Sequence, residues 1–539
     1  MQVNTLNLDL MILLKKIDLI KLLKNTNTLH NTTHIMTDLF IESSLKFESK
    51  NNNDVLVPVP IKDAKFGILS LNAISTPLTQ KELEFIFMID SSGSMSDKCS
   101  DGRTKMQHII HTVKNMILYF KENPSIKINI TINSFDDMFH RVLGRCSVTD
   151  ENYNSIISKI DGIIPLSTTN IEFALKSVKQ TIESIKQDFP DHDIINIFMT
   201  DGEATSGNTD YTYLANIVDR TITNAFIGFG IDHDSKLLNA ISKGENSAYY
   251  FIDKLENSGF VYGEILHGIV YKFLSNVQIS VINGLIYDFK NNIWSENLSI
   301  GEIVSEANKK FHIISNNTDE CAIILKAKQE HNSTEVNLTI VNHKNTEDFT
   351  NYIYRQRTLQ HLFSVDEFFK KKNSYIYLYT SLPFDLSISD KIKEDKRIIK
   401  ENLRAFLQEM KQFMEENNLN DDKFMKNLCD DIYISYKTFG THFGYMYNNA
   451  RQTSQGMQRC YTVSHTPEIE PETNNLYCPS HPRLQRYNNI ISDTQATTPI
   501  DDDQLYINHT MSNFNDTPYL TQTATQIIRD ISCTSNIYD

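Results

Sequence analysis

Between Leu83 and Ile252 the sequence alternates short apolar runs with stretches of helical periodicity, and two of those runs end in aspartate. Leu83–Ile89 is mainly apolar and leads into Asp90; Ile194–Met199 is apolar except for Asn196 and leads into Thr200-Asp201-Gly202-Glu203. Runs of this kind are what a buried parallel strand requires. Met106, Ile109, Ile110, Val113, Met116, Ile117 and Phe120 recur at helical spacing over Lys105–Phe120. Ile126–Phe135 alternates as a strand, and Ile171–Ile185 reads as a helix with Thr169-Asn170 at its cap. Ala225–Ile231 is a third apolar strand, Ser235–Ser242 a helix and Tyr249–Ile252 a last short strand. This order predicts an α/β domain over residues 82–275, with a mostly parallel sheet and helices on both faces. Ligands of such sheets bind at the carboxyl ends of the strands, where Asp90 and Asp201 both fall.

The rest of the chain divides by texture. Residues 1–50 read as a peripheral or poorly structured N-terminus and 51–81 as a β segment containing Val55-Leu-Val-Pro-Val-Pro and Phe66-Gly-Ile-Leu-Ser-Leu. Short strands separated by turn-like residues predict a small β-sandwich-like domain over 276–346. Residues 347–459 read as helical, with Ile392, Ile399, Leu403, Phe406, Met410 and Phe413 forming a packing stripe. Residues 460–539 are polar and without period, and are expected to be disordered.

Composition narrows the function classes. A length of 539 residues suggests about three domains at roughly 150 residues each. Hydrophobic residues at 40% are enough for real cores, which excludes a fully disordered chain. The net charge of −15, without a basic stripe, argues against a general nucleic-acid binder and is compatible with cation binding by carboxylates. Seven scattered cysteines are too few and odd in number for a disulfide framework, so a reducing, intracellular compartment is expected. Leu6–Leu23 is interrupted by Asp9, Lys15, Lys16, Asp18 and Lys21; it is too charged to span a membrane and lacks a cleavage site for export. An amphipathic helix, a poorly structured segment and a working start at Met36 all fit it. Abundant Asn and scarce Ala are a composition that AT-rich coding can produce, as in some protists and large DNA viruses, and say nothing about chemistry.

The chemistry concentrates in three loops. Asp90-x-Ser92-x-Ser94 follows the first buried strand, so a carboxylate and two hydroxyls converge; Gly93 lets the loop turn closely. Thr169, within Ser167-Thr-Thr-Asn170, offers another hydroxyl, and Asp201 a second carboxylate. Hard oxygen donors of this kind suit Mg²⁺, Mn²⁺ or Ca²⁺ and are poor for soft metals. Two carboxylates and three hydroxyls leave a position open, for which an Asp or Glu carboxylate from a partner is the natural ligand.

This arrangement resembles the von Willebrand factor A (VWA) domain and its metal-ion-dependent adhesion site, over about Glu82 to Ser275. The resemblance implies a Rossmann-like fold that binds Mg²⁺ or a similar ion and presents it to an acidic residue of a protein partner. It implies that Asp90, Ser92, Ser94 and Thr169 hold the metal directly or through water, and that Asp201 acts through water. Ser167-Thr168 departs from the small glycines common there. Val281-Ile-Asn-Gly-Leu-Ile-Tyr-Asp-Phe, a Ser299-Ile-Gly-Glu turn and Asn449–Arg459 further resemble the VWA-Hint ("Vwaint") group, although no Hint-like block is evident. Arg451–Arg459 reads equally as a partner-binding or domain-closing element and as a helix end with a polar tail.

A second metal candidate is weaker. Cys460-x4-His465-x12-Cys478-x2-His481 has zinc-type ligands, but its order matches no common finger. Enzyme signatures are missing: there is no P-loop, no Gly-x-Ser-x-Gly elbow and no His-Glu-x-x-His. His108 and His111 lie on the first helix, outside the motifs. The expected function is therefore a non-enzymatic, metal-dependent protein-binding module. The alternative is a structural or assembly scaffold, such as a component of a virion or large complex. A metal-assisted hydrolase comes last.

Overall fold

The computed structural model describes residues 41–48, 60–74, 81–99, 102–230, 233–244, 246–252, 258–330, 334–343, 347–381, 386–441, 444–459 and 517–533. From Glu42 onward the chain forms one compact unit. In chain order, β1 (Ile41–Phe47) and β2 (Lys65–Ala73) come first. The alternating region follows as β3 (Leu83–Asp90), α1 (Lys105–Glu122), β4 (Ile128–Phe135), β5 (Phe139–Ser147), α2 (Asp150–Asp161) and α3 (Ile171–Asp188). It continues as β6 (Asp193–Thr200), α4 (Tyr211–Ile217), β7 (Thr223–Phe229), α5 (Ser235–Ile241), β8 (Ser247–Ile252) and α6 (Ser258–Val270). Seven strands come next: β9 (Lys272–Ile282), β10 (Leu285–Asp288), β11 (Ile293–Ser295), β12 (Asn297–Val304), β13 (Asn308–Ser315), β14 (Ala322–Gln329) and β15 (Glu335–Val341). The helices α7 (Thr350–Ser381), α8 (Leu386–Glu416), α9 (Lys423–Thr438), α10 (Gly444–Met457) and α11 (Gln522–Cys533) complete the described elements.

The α/β sheet has the order β5-β4-β3-β6-β7-β8, parallel throughout except for the antiparallel edge strand β5. β3 shows why these runs fold as they do. Every residue of Leu-Glu-Phe-Ile-Phe-Met-Ile-Asp is buried, and alternation divides them between two cores. Leu83, Phe85, Phe87 and Ile89 pack with the apolar faces of α1, α2 and α6, while Ile86 and Met88 pack with α3, α4 and α5. The chain leaves β3 to one side for β4 and returns on its other side as β6. The sheet therefore reverses direction between β3 and β6, the crevice where ligands of open α/β sheets sit.

The segment before this domain is not separate from the strands after it. β2 pairs antiparallel with β13 over eight positions, from Lys65 opposite Ser315 to Asn72 opposite Asn308. One further sheet runs β1-β2-β13-β10-β11 and a second β12-β9-β14-β15. The α/β domain is thus inserted between β2 and β9 of a β region built from both sides of it. Two readings change accordingly. Residues 41–47, placed in the peripheral N-terminus, form β1. Ser299–Glu302, read as a turn, lies inside β12, where the register slips around Gly301 at φ 77°. The run Val55–Val59 lies outside the described residues.

The packing stripe of residues 392–413 lies on α8, with Leu403 and Met410 fully buried. Its apolar cluster is continuous with the Ile86 side of the α/β sheet, and the rings of Phe251 and Tyr447 meet edge-on at 5.3 Å. The Arg451–Arg459 segment is a domain-joining element and not a polar helix end. Arg451 is fully buried and ion-paired to Asp430. Lys309 Nζ donates to the carbonyls of Met457 and Gln458 at 2.7 and 2.8 Å, and Arg459 Nη2 donates to the Tyr249 carbonyl at 2.7 Å. Helices, β region and α/β domain all meet there.

The expectation of disorder over residues 460–539 fails for 517–533. α11 docks along α6 and α1, with Ile527 and Ile531 buried and Asn115 Nδ2 donating to the Ile531 carbonyl at 2.9 Å. Polar spacing hides this helix in sequence, because only one narrow face is apolar. The docking depends on Gly263, where an added Cβ would stand 2.4 Å from Ile528 Cγ1 and 3.0 Å from its Cα. Gly263→Val is expected to cost about 1–3 kcal/mol of overpacking and to raise amide hydrogen exchange across residues 517–533 selectively. Unchanged protection of that helix would overturn the assignment.

Candidate metal centre

Three loops build the site at the β3/β6 crevice. Asp90 closes β3 and is fully buried. Its Oδ1 accepts the Ser92 N–H at 2.8 Å and its Oδ2 accepts the Thr200 hydroxyl at 2.5 Å. Ser92 and Ser94 follow where Gly93–Ser96 makes a 3-10 turn. Their hydroxyls stand 3.2 Å apart, and Ser94 Oγ donates to Asp201 Oδ1 at 2.8 Å. Asp201 follows β6 directly and is buried.

Thr169 comes from the second loop, just before Asn170, whose side chain accepts the Phe173 N–H and caps α3. A Cβ on Gly202 would lie 3.5 Å from Thr169 Oγ1 and 3.8 Å from Ser94 Oγ, so both hydroxyls face the same glycine. Backbone bonds hold the loops together. Gly93 N–H donates to the Ser167 carbonyl at 3.0 Å, Leu166 N–H to that of Ser91 at 2.7 Å and Thr205 N–H to that of Thr169 at 3.0 Å. Ser167 takes the left-handed conformation, φ 61°, at one of the positions where its loop departs from glycine.

The structure therefore brings Asp90, Ser92, Ser94, Thr169 and Asp201 to one place. The zinc candidates Cys460, His465, Cys478 and His481 lie outside the described residues. Among the described residues no cluster of three or more His, Cys, Asp or Glu side chains stands ready for a metal. Any cation here must take hydroxyl oxygens as well as the two carboxylates. The donor set fits that demand. Burial first, and then the neighbouring Asp201 charge, push the Asp90 carboxyl up to about 6, against the lowering effect of its hydrogen bonds. Two carboxylates that repel each other in a buried crevice are stabilised by a cation.

The shift gives the metal-free protein a pH dependence. Asp90 holds its proton more tightly folded than unfolded, so folded stability falls as pH rises from about 4 to about 6. At roughly 1.4 kcal/mol per pH unit the loss is on the order of 3 kcal/mol. Denaturant unfolding in chelator should show this loss in the wild type and not in Asp90→Asn; identical profiles would refute it.

Sequence reasoning missed two side chains. Thr200 stands in the Thr-Asp-Gly motif with no role assigned to it; its hydroxyl orients Asp90. Thr200→Val is expected to weaken cation binding about 10- to 100-fold, the usual cost of losing an outer partner of a metal ligand, measured by calorimetric titration. Lys105 opens α1, and its ammonium stands 2.7 Å from Asp201 Oδ2. The available signal was a lysine at a helix start with no acidic residue in the first turn, a placement the helix dipole disfavours.

Comparison with known proteins places the domain. A family model for the von Willebrand factor type A domain matches residues 84–262. No curated protein matches the chain in sequence. Among solved structures, the chain is similar to a von Willebrand factor type A protein from Catenulispora acidiphila at 13% identity, with 63% of this chain and 84% of that chain covered and a TM-score of 0.43. It is similar to the ArnB paralog VWA2 from Sulfolobus acidocaldarius at 13% identity, covering 77% and 98% of the two chains, TM-score 0.44. A third is proximal thread matrix protein 1 from the mussel byssus with a zinc-occupied MIDAS motif, at 18% identity over 33% and 42%, TM-score 0.26. With the strand order, the β3/β6 crevice and the family match in agreement, residues 84–262 of this chain form a von Willebrand factor type A domain.

Proposed function

We propose that this protein is a metal-dependent protein-binding module. In this reading Asp90, Ser92, Ser94 and Thr169 hold Mg²⁺, or Mn²⁺ or Ca²⁺ in its place, and Asp201 acts through water. The ion supplies a Lewis-acidic position for an Asp or Glu carboxylate of a protein partner. The observation that carries the reading is the convergence of two buried carboxylates and three hydroxyls at the one crevice where the sheet reverses. Turnover is not part of the proposal.

The finer resemblance to the Vwaint group belongs to the same proposal, supported by the domain-joining role of the segment ending at Arg459. So does an intracellular location. It rests on the seven scattered cysteines, of which Cys99, Cys146, Cys321 and Cys429 are in no disulfide.

Calorimetric titration of Mg²⁺ and of Mn²⁺ into the full chain, beside Asp90→Ala, tests the function. Saturable binding by the wild type and none by the variant is expected. A wild type that binds neither ion would move the function to an assembly scaffold.

A further inference from the structure

Lys105 puts a protein-borne cation on a carboxylate that the proposed function assigns to the metal. Its Nζ lies 2.7 Å from Asp201 Oδ2 and 3.8 Å from Asp97 Oδ2, and its side chain is only 12% exposed. The chain runs across the top of the sheet, with Cε 3.9 Å from where a Cβ on Gly230 would stand at the end of β7. The capping box of Thr104 and Gln107 fixes the helix start from which it reaches. The other oxygen of Asp201 accepts from Ser94, so Asp201 joins Lys105 to the hydroxyl ligands.

We infer that Lys105 is a built-in counter-cation of the metal centre, which lowers its affinity for the divalent ion and raises the affinity of the metal-loaded centre for a carboxylate. The inference rests on the metal-binding reading above. The charges carry it. With Asp90 and Asp201 ionised the two buried carboxylates hold two negative charges, and Lys105 cancels one; Asp97, the other carboxylate beside Lys105, is 67% exposed and its charge is screened by solvent. A divalent ion then leaves the centre at +1, and an incoming carboxylate brings it to neutrality. Without Lys105 the metal-loaded centre is already neutral, and the same carboxylate leaves it at −1. Asp90 and Asp201 are buried and Lys105 nearly so, and between buried groups such differences are weakly screened. Lys105 thus acts as a specificity-determining residue, trading cation affinity for anion affinity.

The test uses the full chain with Mn²⁺ as the ion and acetate as the carboxylate probe. Lys105→Met and Lys105→Gln remove the charge; Lys105→Arg keeps it. Mn²⁺ affinity is read by calorimetry, and acetate binding at saturating Mn²⁺ by the paramagnetic relaxation of its methyl protons. Both neutral variants are expected to bind Mn²⁺ at least about tenfold more tightly than the wild type, and acetate at least about tenfold more weakly. Lys105→Arg should follow the wild type in both. Mn²⁺ binding by the neutral variants alone overturns both readings, because a wild type that binds no ion has no metal-loaded centre to offer a carboxylate. Unchanged or weaker Mn²⁺ affinity in a folded neutral variant, or unchanged acetate affinity, overturns the inference while leaving the metal reading in place. No Mn²⁺ binding by wild type or any Lys105 variant overturns both. Failure of both neutral variants to reach the wild-type circular dichroism would make Lys105 a structural residue and end the inference.

Discussion

Mg²⁺ at one hundred times its dissociation constant is expected to raise the unfolding free energy of the wild type by about 2.7 kcal/mol, and Asp90→Asn to remove the whole of that gain. The two effects oppose each other at one residue. Asn fits the place of Asp90: its carbonyl oxygen accepts the Ser92 N–H, and its amide donates to a Thr200 hydroxyl that has rotated. It also removes a buried charge that burial and Asp201 disfavour. Metal-free Asp90→Asn should therefore be more stable than the metal-free wild type at pH 7, by up to about 3 kcal/mol, and indifferent to Mg²⁺. Urea unfolding of both proteins in chelator and in excess Mg²⁺ gives all four values. A variant less stable than the wild type in chelator would mean that Asp90 serves folding and not cation binding. A wild type unmoved by Mg²⁺ would sink the site itself.

Arg451→Met is expected to destabilise the protein by about 3–5 kcal/mol, the cost of removing one partner from a buried ion pair. Arg451 and the two carboxylates it faces, Asp430 at ion-pair contact and Asp431 at 3.6 Å, are all fully buried. One turn further along α10, Gln455 Nε2 donates to Asn427 Oδ1 at 2.6 Å, and the Gln455 carbonyl accepts Arg355 Nη2 at 2.7 Å. Arg355 Nη1 reaches the Lys310 carbonyl at 3.0 Å on β13, and the Tyr519 hydroxyl donates to Gln455 Oε1 at 2.8 Å. His312, beside Arg355, is held neutral: burial and then the guanidinium push it down to about 3. Loss of Arg451 leaves negative charge in the middle of this network. Adding Asp430→Asn to Arg451→Met should recover part of the loss, because one of the excess charges is then gone. Urea unfolding of the single and double variants decides it. A loss under about 1 kcal/mol in Arg451→Met, as an exposed pair would give, would contradict the assignment.

The sequence by itself determined the α/β domain and the site residues it carries. Each buried strand is a local apolar run and each helix a local periodic stripe, so Leu83–Asp90 and Lys105–Glu122 follow from their own residues. Asp90, Ser92, Ser94 and Asp201 were legible because a strand end followed by a tight loop is also a local pattern, and Thr169 because it precedes a helix at its cap. Tertiary structure alone decided the rest. β2 finds β13 across the whole inserted domain, and no local pattern encodes a pairing at that separation. Ile527 and Ile531 became core only because Gly259 and Gly263 let α11 approach α6 closely. Arg451 read equally as part of a partner-binding or domain-closing element and as part of a helix end with a polar tail until Asp430 and Asp431 enclosed it. Lys105 was only the first residue of a helical stretch until the fold set its ammonium on Asp201. Periodicity reports which face of an element is buried, but a charged side chain acquires its role from a partner that only the assembled fold brings within reach.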